Sequence, residues 1–220
     1  MKVYYFTSEK WGLSDIENRR IKISRIEDLN DPFELLSIEL RKKNHRQAFN
    51  QWRSEINRQF GMICFSETWS NPVMWSHYAE KHRGLCLEFE VLKNLLIPVT
   101  YNLHRLPNKL AQNLCPARVH EEAEMRELLA TKFGHWKYER ERRLFVRLER
   151  PDAEDHYYKE FDRCLRLTRV IVGPRSKLSR AGLSRAFQKG AYEHEPPSFK
   201  ARLAFETFSV VRNKNSLLWK

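Results

Sequence analysis

Cysteine is scarce in this 220-residue chain, and its placement excludes more than its number does. Cys64, Cys86, Cys115 and Cys164 form no C-x-x-C pair and no knuckle spacing, so neither a disulfide framework nor a zinc site is indicated. Small buried hydrophobes are the expected role, and Cys64 and Cys86 fall inside predicted strands. Long apolar runs are missing too. Nothing approaches the roughly 18 residues needed to cross a bilayer, which argues against a membrane partner. The opening MKVYYFTSEKWG turns polar too early for a secretory signal, so a cytoplasmic protein is expected. There is no low-complexity linker and no internal repeat, and one domain over residues 1–220 is the expectation. Gly173-Pro174-Arg175-Ser176 sits at a strand-to-helix junction suited to a phosphate, yet it lacks the glycine spacing of a nucleotide loop.

Acidic residues are in deficit. Asp and Glu number 28 against 40 Lys and Arg, which leaves a net charge of +12. Such a chain attracts polyanions, either nucleic acid or phosphate-bearing metabolites. Arginine dominates the runs RERRLFVRLER (140–150), RCLRLTR (163–169) and RKKNHR (41–46). Its planar fork suits phosphate because it donates two hydrogen bonds at once. A solvated basic surface is the alternative reading.

Periodicity predicts a mixed, mostly antiparallel β-core flanked by helices, an α+β class. Val3–Phe6 reads as a strand, Thr7-Ser8 as the cap of a helix over 9–19, and Ile21 with Ile23 as a second strand. Asp28 to Glu34 reads as a rigid turn displaying acceptors. Leu36, Ile38 and Leu40 fit a third strand or the opening of a helix. Phe49, Trp52, Ile56 and Phe60 predict a helix over 45–60 ending at Gly61. Met62–Phe65 reads as a buried strand. Asn71 and Pro72 open a helix running to about Arg83, closed by Gly84, and Leu85–Val91 alternates as a strand with one buried face. Ile97 to Tyr101 suggests a short strand. Glutamates at 121, 122 and 124 open a predicted helix over 119–136, with Met125, Leu128, Leu129, Phe133 and Trp136 as its stripe. If Trp136 to Leu148 is extended, Leu144, Val146 and Leu148 share one face and Glu139, Glu141 and Arg143 the other. Leu165–Val172 reads as a strand, 178–188 as a helix, and Leu203 to Val211 as the last strand.

Two constellations carry possible chemistry. His77 and Tyr78 share a helical turn, with His82 five residues on; this spacing rotates His82 off the face of His77 and disfavours a metal pair. Packing alone also accounts for Trp75, Tyr78 and a hydrogen-bonded His77. Glu139-x-Glu141 can share a proton or stabilise a developing cation, or it can form salt bridges to the surrounding arginines. A hydrolase using His77 and Glu139 and a noncatalytic nucleic-acid-binding protein are the competing functional readings.

Four blocks also carry a resemblance: Leu29-Asn30-Asp31-Pro32-Phe33-Glu34, Cys64-Phe65-Ser66-Glu67, Met74-Trp75-Ser76-His77-Tyr78-Ala79 with Gly84 following, and Trp136-x-Tyr138-Glu139-x-Glu141-x-Arg143. In order and spacing, from Tyr4 to about Gly173, they resemble a bacterial and phage family catalogued as domain of unknown function 2971. More distantly the chain resembles ADP-ribosyltransferases, which bind NAD in a split mixed β-fold and transfer its ADP-ribose. Phe65-Ser66-Glu67-Thr68 is similar to their aromatic-Ser-x-Ser/Thr element and Glu139-Arg140-Glu141 to their Glu-x-Glu element. In the opening element Tyr5 stands where histidine is usual. The resemblance implies NAD as substrate and a nucleic-acid or protein acceptor, as in a toxin or phage-defence effector. It implies Glu141 at the ribose, Glu139 orienting the acceptor, Ser66 and Thr68 at the strand edge, and Tyr5 in the binding wall. Trp75 or Tyr78 would stack on the base, and Arg83 or Arg143 would meet the diphosphate.

Overall fold

The computed structural model describes residues 1–107, 122–215, 217 and 219, with backbone alone for 122–125. In chain order the elements are β1 (Lys2–Thr7), α1 (Glu9–Asn18), β2 (Arg20–Arg25), α2 (Lys43–Gln59), β3 (Phe60–Ser66) and α3 (Pro72–Tyr78). There follow β4 (Leu85–Val91), β5 (Ile97–Pro98), β6 (Thr100–Asn102), α4 (Glu122–Ala130), β7 (Thr131–Phe133) and β8 (Glu141–Arg147). The chain closes with β9 (Tyr157–Glu160), β10 (Leu165–Val172), α5 (Arg180–Lys189), β11 (Ser198–Leu203) and β12 (Val210–Arg212). The class is α+β: the main sheet runs β12-β11-β10-β4-β1-β3-β2-β9, with β8 along β3 and β5 along β8. Of its pairings only β10–β11 is parallel, and β6 with β7 forms a separate parallel pair.

One irregularity of this sheet makes the site. β3 meets β1 at a single register point, Tyr4 opposite Ser66, and meets β2 only at its other end, where Met62 and Gly61 face Ser24 and Arg25. On its other side β3 is paired with β8 over its whole length, Phe60 through Ser66. Between the two contacts the Ile63–Phe65 edge is open, so the sheet forks there. The largest apolar cluster, with Val3, Ile16, Phe65, Leu87 and Phe187, lies on one face; Phe6, Trp75, Cys86 and Ile171 pack on the other.

Several expectations change at the level of packing. β4 is buried on both faces, because Cys86 joins the second cluster and Glu88 is paired with Lys2 and Arg169. α3 stops at Tyr78 rather than near Arg83, since Glu80, Lys81 and His82 all take left-handed φ angles of 48°, 53° and 73°. The helix expected over 45–60 is α2, which ends at Gln59, and Gly61 just past it already belongs to β3, where a Cβ would stand 2.7 Å from the Ser24 carbonyl oxygen. Leu36 to Leu40 is neither strand nor helix and makes one bridge, Ile38 to Leu106. The helix expected over 119–136 ends at Ala130 and gives way to β7 and a 3-10 turn, Gly134–Glu139. Residues 119–121 and Cys115 lie outside the described residues. The single strand expected from Leu203 to Val211 is instead the hairpin β11–β12, whose tip exposes Phe205 and Phe208. Among the described residues no helix is long and apolar enough to cross a membrane.

Candidate functional site

The fork opens into a cavity of about 240 Å³ walled by β1 (Tyr4 to Phe6), β3 (Cys64 to Ser66), Tyr78, Lys132, Glu139 and Glu141, with Asn30 and Glu34 closing one end. Local structure explains how its charged groups arrive together. Glu141 and Arg143 are two residues apart on β8 and therefore share a face, directly opposite Ser66 and Cys64 of β3. Glu139 precedes the strand in the 3-10 turn, and a left-handed Arg140 (φ 48°) re-aims the chain so that Glu139 enters the same space. Lys132 comes from β7, held in register with Tyr101 of β6. Glu34 follows a turn in which the Phe33 N–H donates to Asp31 Oδ1 and the Glu34 N–H to the Asp31 carbonyl, both at 2.9 Å. Two of its acceptors are turned inward, since Asp31 and Glu34 are buried, while Asp28 and Asn30 stay exposed.

Arg143 is the fixed centre of this network. Its Nε donates to Glu141 Oε1 at 2.8 Å, and Nη1 donates to Glu34 Oε1 at 2.7 Å and to the Leu129 carbonyl at 2.6 Å. Nη2 donates to Glu34 Oε2 at 2.9 Å and Glu141 Oε2 at 3.2 Å. All five guanidinium N–H groups are thus engaged, in a side chain with no solvent exposure. Lys132 Nζ links Glu141 to the remaining acid, donating to Glu139 Oε2 at 2.6 Å and Glu141 Oε2 at 3.1 Å. Tyr78 Oη donates to Glu139 Oε1 and itself accepts from Asn30 Nδ2 at 2.8 Å.

The two carboxylates of Glu-x-Glu end up in opposite electrostatic states. Burial raises the pKa of both. For Glu141 the charges of Arg143 and Lys132, with a bond from the Cys64 thiol, outweigh burial and lower it to about 2. For Glu139 burial outweighs Lys132 and the Tyr78 bond, so its pKa is raised. The charge balance points the same way: three buried acids, Glu34, Glu139 and Glu141, face two cations, which disfavours a third negative charge at Glu139. Geometry agrees. Glu141 receives three bonds from Arg143 and Lys132 and a fourth from Cys64, which fills a carboxylate's acceptor sites; Glu139 receives two and keeps two.

The other expected site residues divide. Tyr5 and Ser66 line the cavity; Ser66 Oγ donates to the Glu139 carbonyl at 2.6 Å and so locks the 3-10 turn onto β3. Burial raises the Tyr5 pKa strongly, which keeps the phenol neutral. Thr68 does not line the cavity: its N–H donates to Ser66 Oγ and its hydroxyl bonds Ser70, so it shapes the turn. Trp75 is wholly buried, edge-on to Phe6, with Nε1 donating to the Trp69 carbonyl at 2.6 Å, and has no face free to stack on a base. His77 points away, exposed, within 3.1 Å of Tyr138 Oη, which removes it from the acid-base role. Arg83 lines a different concavity, and Arg143 has no N–H left for a diphosphate. No group of three or more candidate metal ligands occurs among the described residues.

Sequence reasoning missed Lys132 and the partnership of Glu34 with Arg143. Lys132 was hidden in a predicted helix, and the available signal was Gly134, which is costly in a helix interior by about 1 kcal/mol. Set against protein-family models, curated proteins and solved structures, the chain matches none.

Proposed function

We propose that the cavity at the fork carries out glycosyl transfer on a ribonucleotide, with NAD as the substrate and a nucleic acid or protein as the acceptor. The observation that carries this reading is the pairing, in one cavity, of a carboxyl with spare acceptor capacity and raised pKa (Glu139) and an anion held by two cations (Glu141). Cleaving the C1′–N bond of NAD sends the bonding pair to nicotinamide and leaves an oxocarbenium-like sugar, which fixed negative charge stabilises. The acceptor oxygen then bonds C1′ and its proton passes to the Glu139 carboxylate. The contact with substrate that the resemblance divides between the two acids therefore falls to Glu139. Glu141 is saturated and acts as the electrostatic anchor that positions Lys132, while Glu139 meets the ribose hydroxyl or the acceptor. Tyr78, hydrogen-bonded to Glu139, supplies a ring at the wall.

At about 240 Å³ the cavity is smaller than the roughly 300–1,000 Å³ of typical ligand pockets. It suits a ribose and one ring, and its walls offer the diphosphate no unpaired arginine. Incubation of the protein with nicotinamide-labelled NAD, in the presence of either cell protein or DNA, tests the reading. Nicotinamide release should fall by about 10²–10⁴ in Glu139→Gln, a change that preserves shape and removes the proton acceptor. Absence of release from the wild type with both acceptors, or undiminished release from the variant, would sink it.

A further inference from the structure

Three segments distant in sequence meet on another part of the surface: the first turns of α1 (Glu9, Lys10, Leu13), the turn after α3 (Glu80, Arg83) and the loop after β10 (Arg175, Lys177). They enclose an open concavity of about 560 Å³. Backbone bonds fix them to one another. The Arg175 N–H donates to the His82 carbonyl at 3.0 Å, the Gly173 N–H to the Gly84 carbonyl at 2.9 Å, and Ser176 Oγ to Glu9 Oε2 at 3.1 Å. The approach is too close for side chains: a Cβ on Gly84 would stand 2.1 Å from the Thr7 carbonyl oxygen, and one on Gly173 2.4 Å from that of His82. Within this frame Glu80, Lys81 and His82 hold three successive left-handed conformations, each costing a non-glycine residue about 1–3 kcal/mol. Strain of this kind persists where the surroundings impose it, and it concentrates at functional sites.

The cations around the concavity are free of carboxylates, although Lys10 Nζ lies 5.2 Å from the centre of the Trp11 ring. Lys10, Arg83, Arg175 and Lys177 are exposed, and among the described residues none of them makes an ion pair. Other arginines on the surface, Arg25, Arg140, Arg142 and Arg166, are each held by a carboxylate. Four cations face two acids, and one of those, Glu9, is already bonded to Ser176.

We propose that this concavity docks the phosphodiester backbone of a nucleic acid. Its two arginines present forks that match phosphate oxygens, and its lysines add point charges on a surface too open to enclose a single small anion. No aromatic ring lines it, so bases are not stacked and contact is with the backbone, independent of sequence. The net charge of +12 steers a polyanion toward it. Arginine forks take carboxylates as well as phosphates, so an acidic protein segment is the competing occupant that the test separates; the strong positive charge of the whole chain favours the more densely charged phosphodiester backbone. The proposal does not rest on the glycosyl chemistry of the cavity at the fork, and binding alone is its readout.

Fluorescence anisotropy with a short labelled DNA duplex of mixed sequence, over a salt series, tests it. Four phosphate contacts predict a loss of affinity on the order of a hundredfold between about 50 and 200 mM salt. Arg83→Gln with Arg175→Gln should weaken binding and flatten the salt slope by about 1.8. Lys43→Gln with Arg53→Gln on α2 removes the same charge away from the concavity and should leave the slope unchanged. Glu80→Lys should tighten binding, a gain that misfolding does not mimic. The proposal is overturned if the wild type does not bind, or if the two double variants weaken equally. It is also overturned if polyglutamate competes as well as unlabelled duplex, which would indicate an acidic protein partner, or if inorganic phosphate at constant ionic strength displaces the duplex, which would indicate a single-anion site.

Discussion

Removing Arg143 strands one buried carboxylate, Glu34, and leaves a second, Glu141, with Lys132 alone. Glu34 and Glu141 are each almost without solvent exposure, and Arg143 supplies four of the hydrogen bonds that neutralise them, with a fifth to the Leu129 carbonyl. Breaking a buried ion pair by deleting one partner costs about 3–5 kcal/mol, because the remaining charge is left without water or a counter-ion. For a chain of this size that is a fall in Tm of about 6–20 °C for Arg143→Ala. The pH dependence separates charge from lost packing. In the wild type the Glu141 pKa is depressed to about 2, against an ordinary value of 4.5. That contribution, about 3 kcal/mol, is fully present above pH 4.5 and disappears as pH falls toward 2. In Arg143→Ala Glu141 loses the larger of the charges that hold its pKa down and takes up a proton more readily, so the gap between variant and wild type should narrow as pH falls from about 5 to 3. Urea unfolding at several pH values measures both quantities. A loss below about 1 kcal/mol at pH 7, the size of an exposed pair, or a gap that does not change with pH, would refute the buried-network account.

Two further predictions concern other parts of the fold. Asp15 on α1 is buried with Oδ2 unpartnered, and burial, against the opposing charge of Arg20, raises its pKa to about 8. A raised acid pKa means that stability is fully present below the ordinary value near 3.8 and is lost as pH rises through 8. Asp15→Asn should therefore raise Tm at pH 8, leave it unchanged near pH 4, and flatten the dependence between them in a thermal-melt series. Gly84→Ala drives a Cβ into the Thr7 carbonyl at 2.1 Å, a contact with backbone that does not yield easily. It should cost about 1–3 kcal/mol in chemical denaturation and should weaken duplex binding as well, since the same turn carries Arg83.

Local patterns made most of the elements legible. Ser8, Asn71 and Ser179 cap α1, α3 and α5 with their side chains, and short-range chemistry of that kind is written in neighbouring residues. The misreadings share one cause. Glu88 looked solvent-facing because it alternates with Leu87 and Phe89, yet two basic partners cover it. Lys132 looked like the polar face of a helix, yet β6 draws it into a strand and two acids bury its ammonium. In each case burial of a polar group depends on partners that only the fold brings close: for Glu88 they are Lys2 and Arg169, for Lys132 the acids seven and nine residues on, reached through a turn, and no periodicity reports them.

By itself the sequence determined the α+β class, the basic charge and the common face of Glu141 and Arg143, because helix caps, strand alternation and net charge are local or additive properties. Only the tertiary structure decided which of the two acids is free to act. That choice follows from how many donors reach each carboxylate. Arg143, Lys132 and Cys64 converge on Glu141 and saturate it, while Glu139 keeps acceptor capacity and a raised pKa at the fork between β1 and β3.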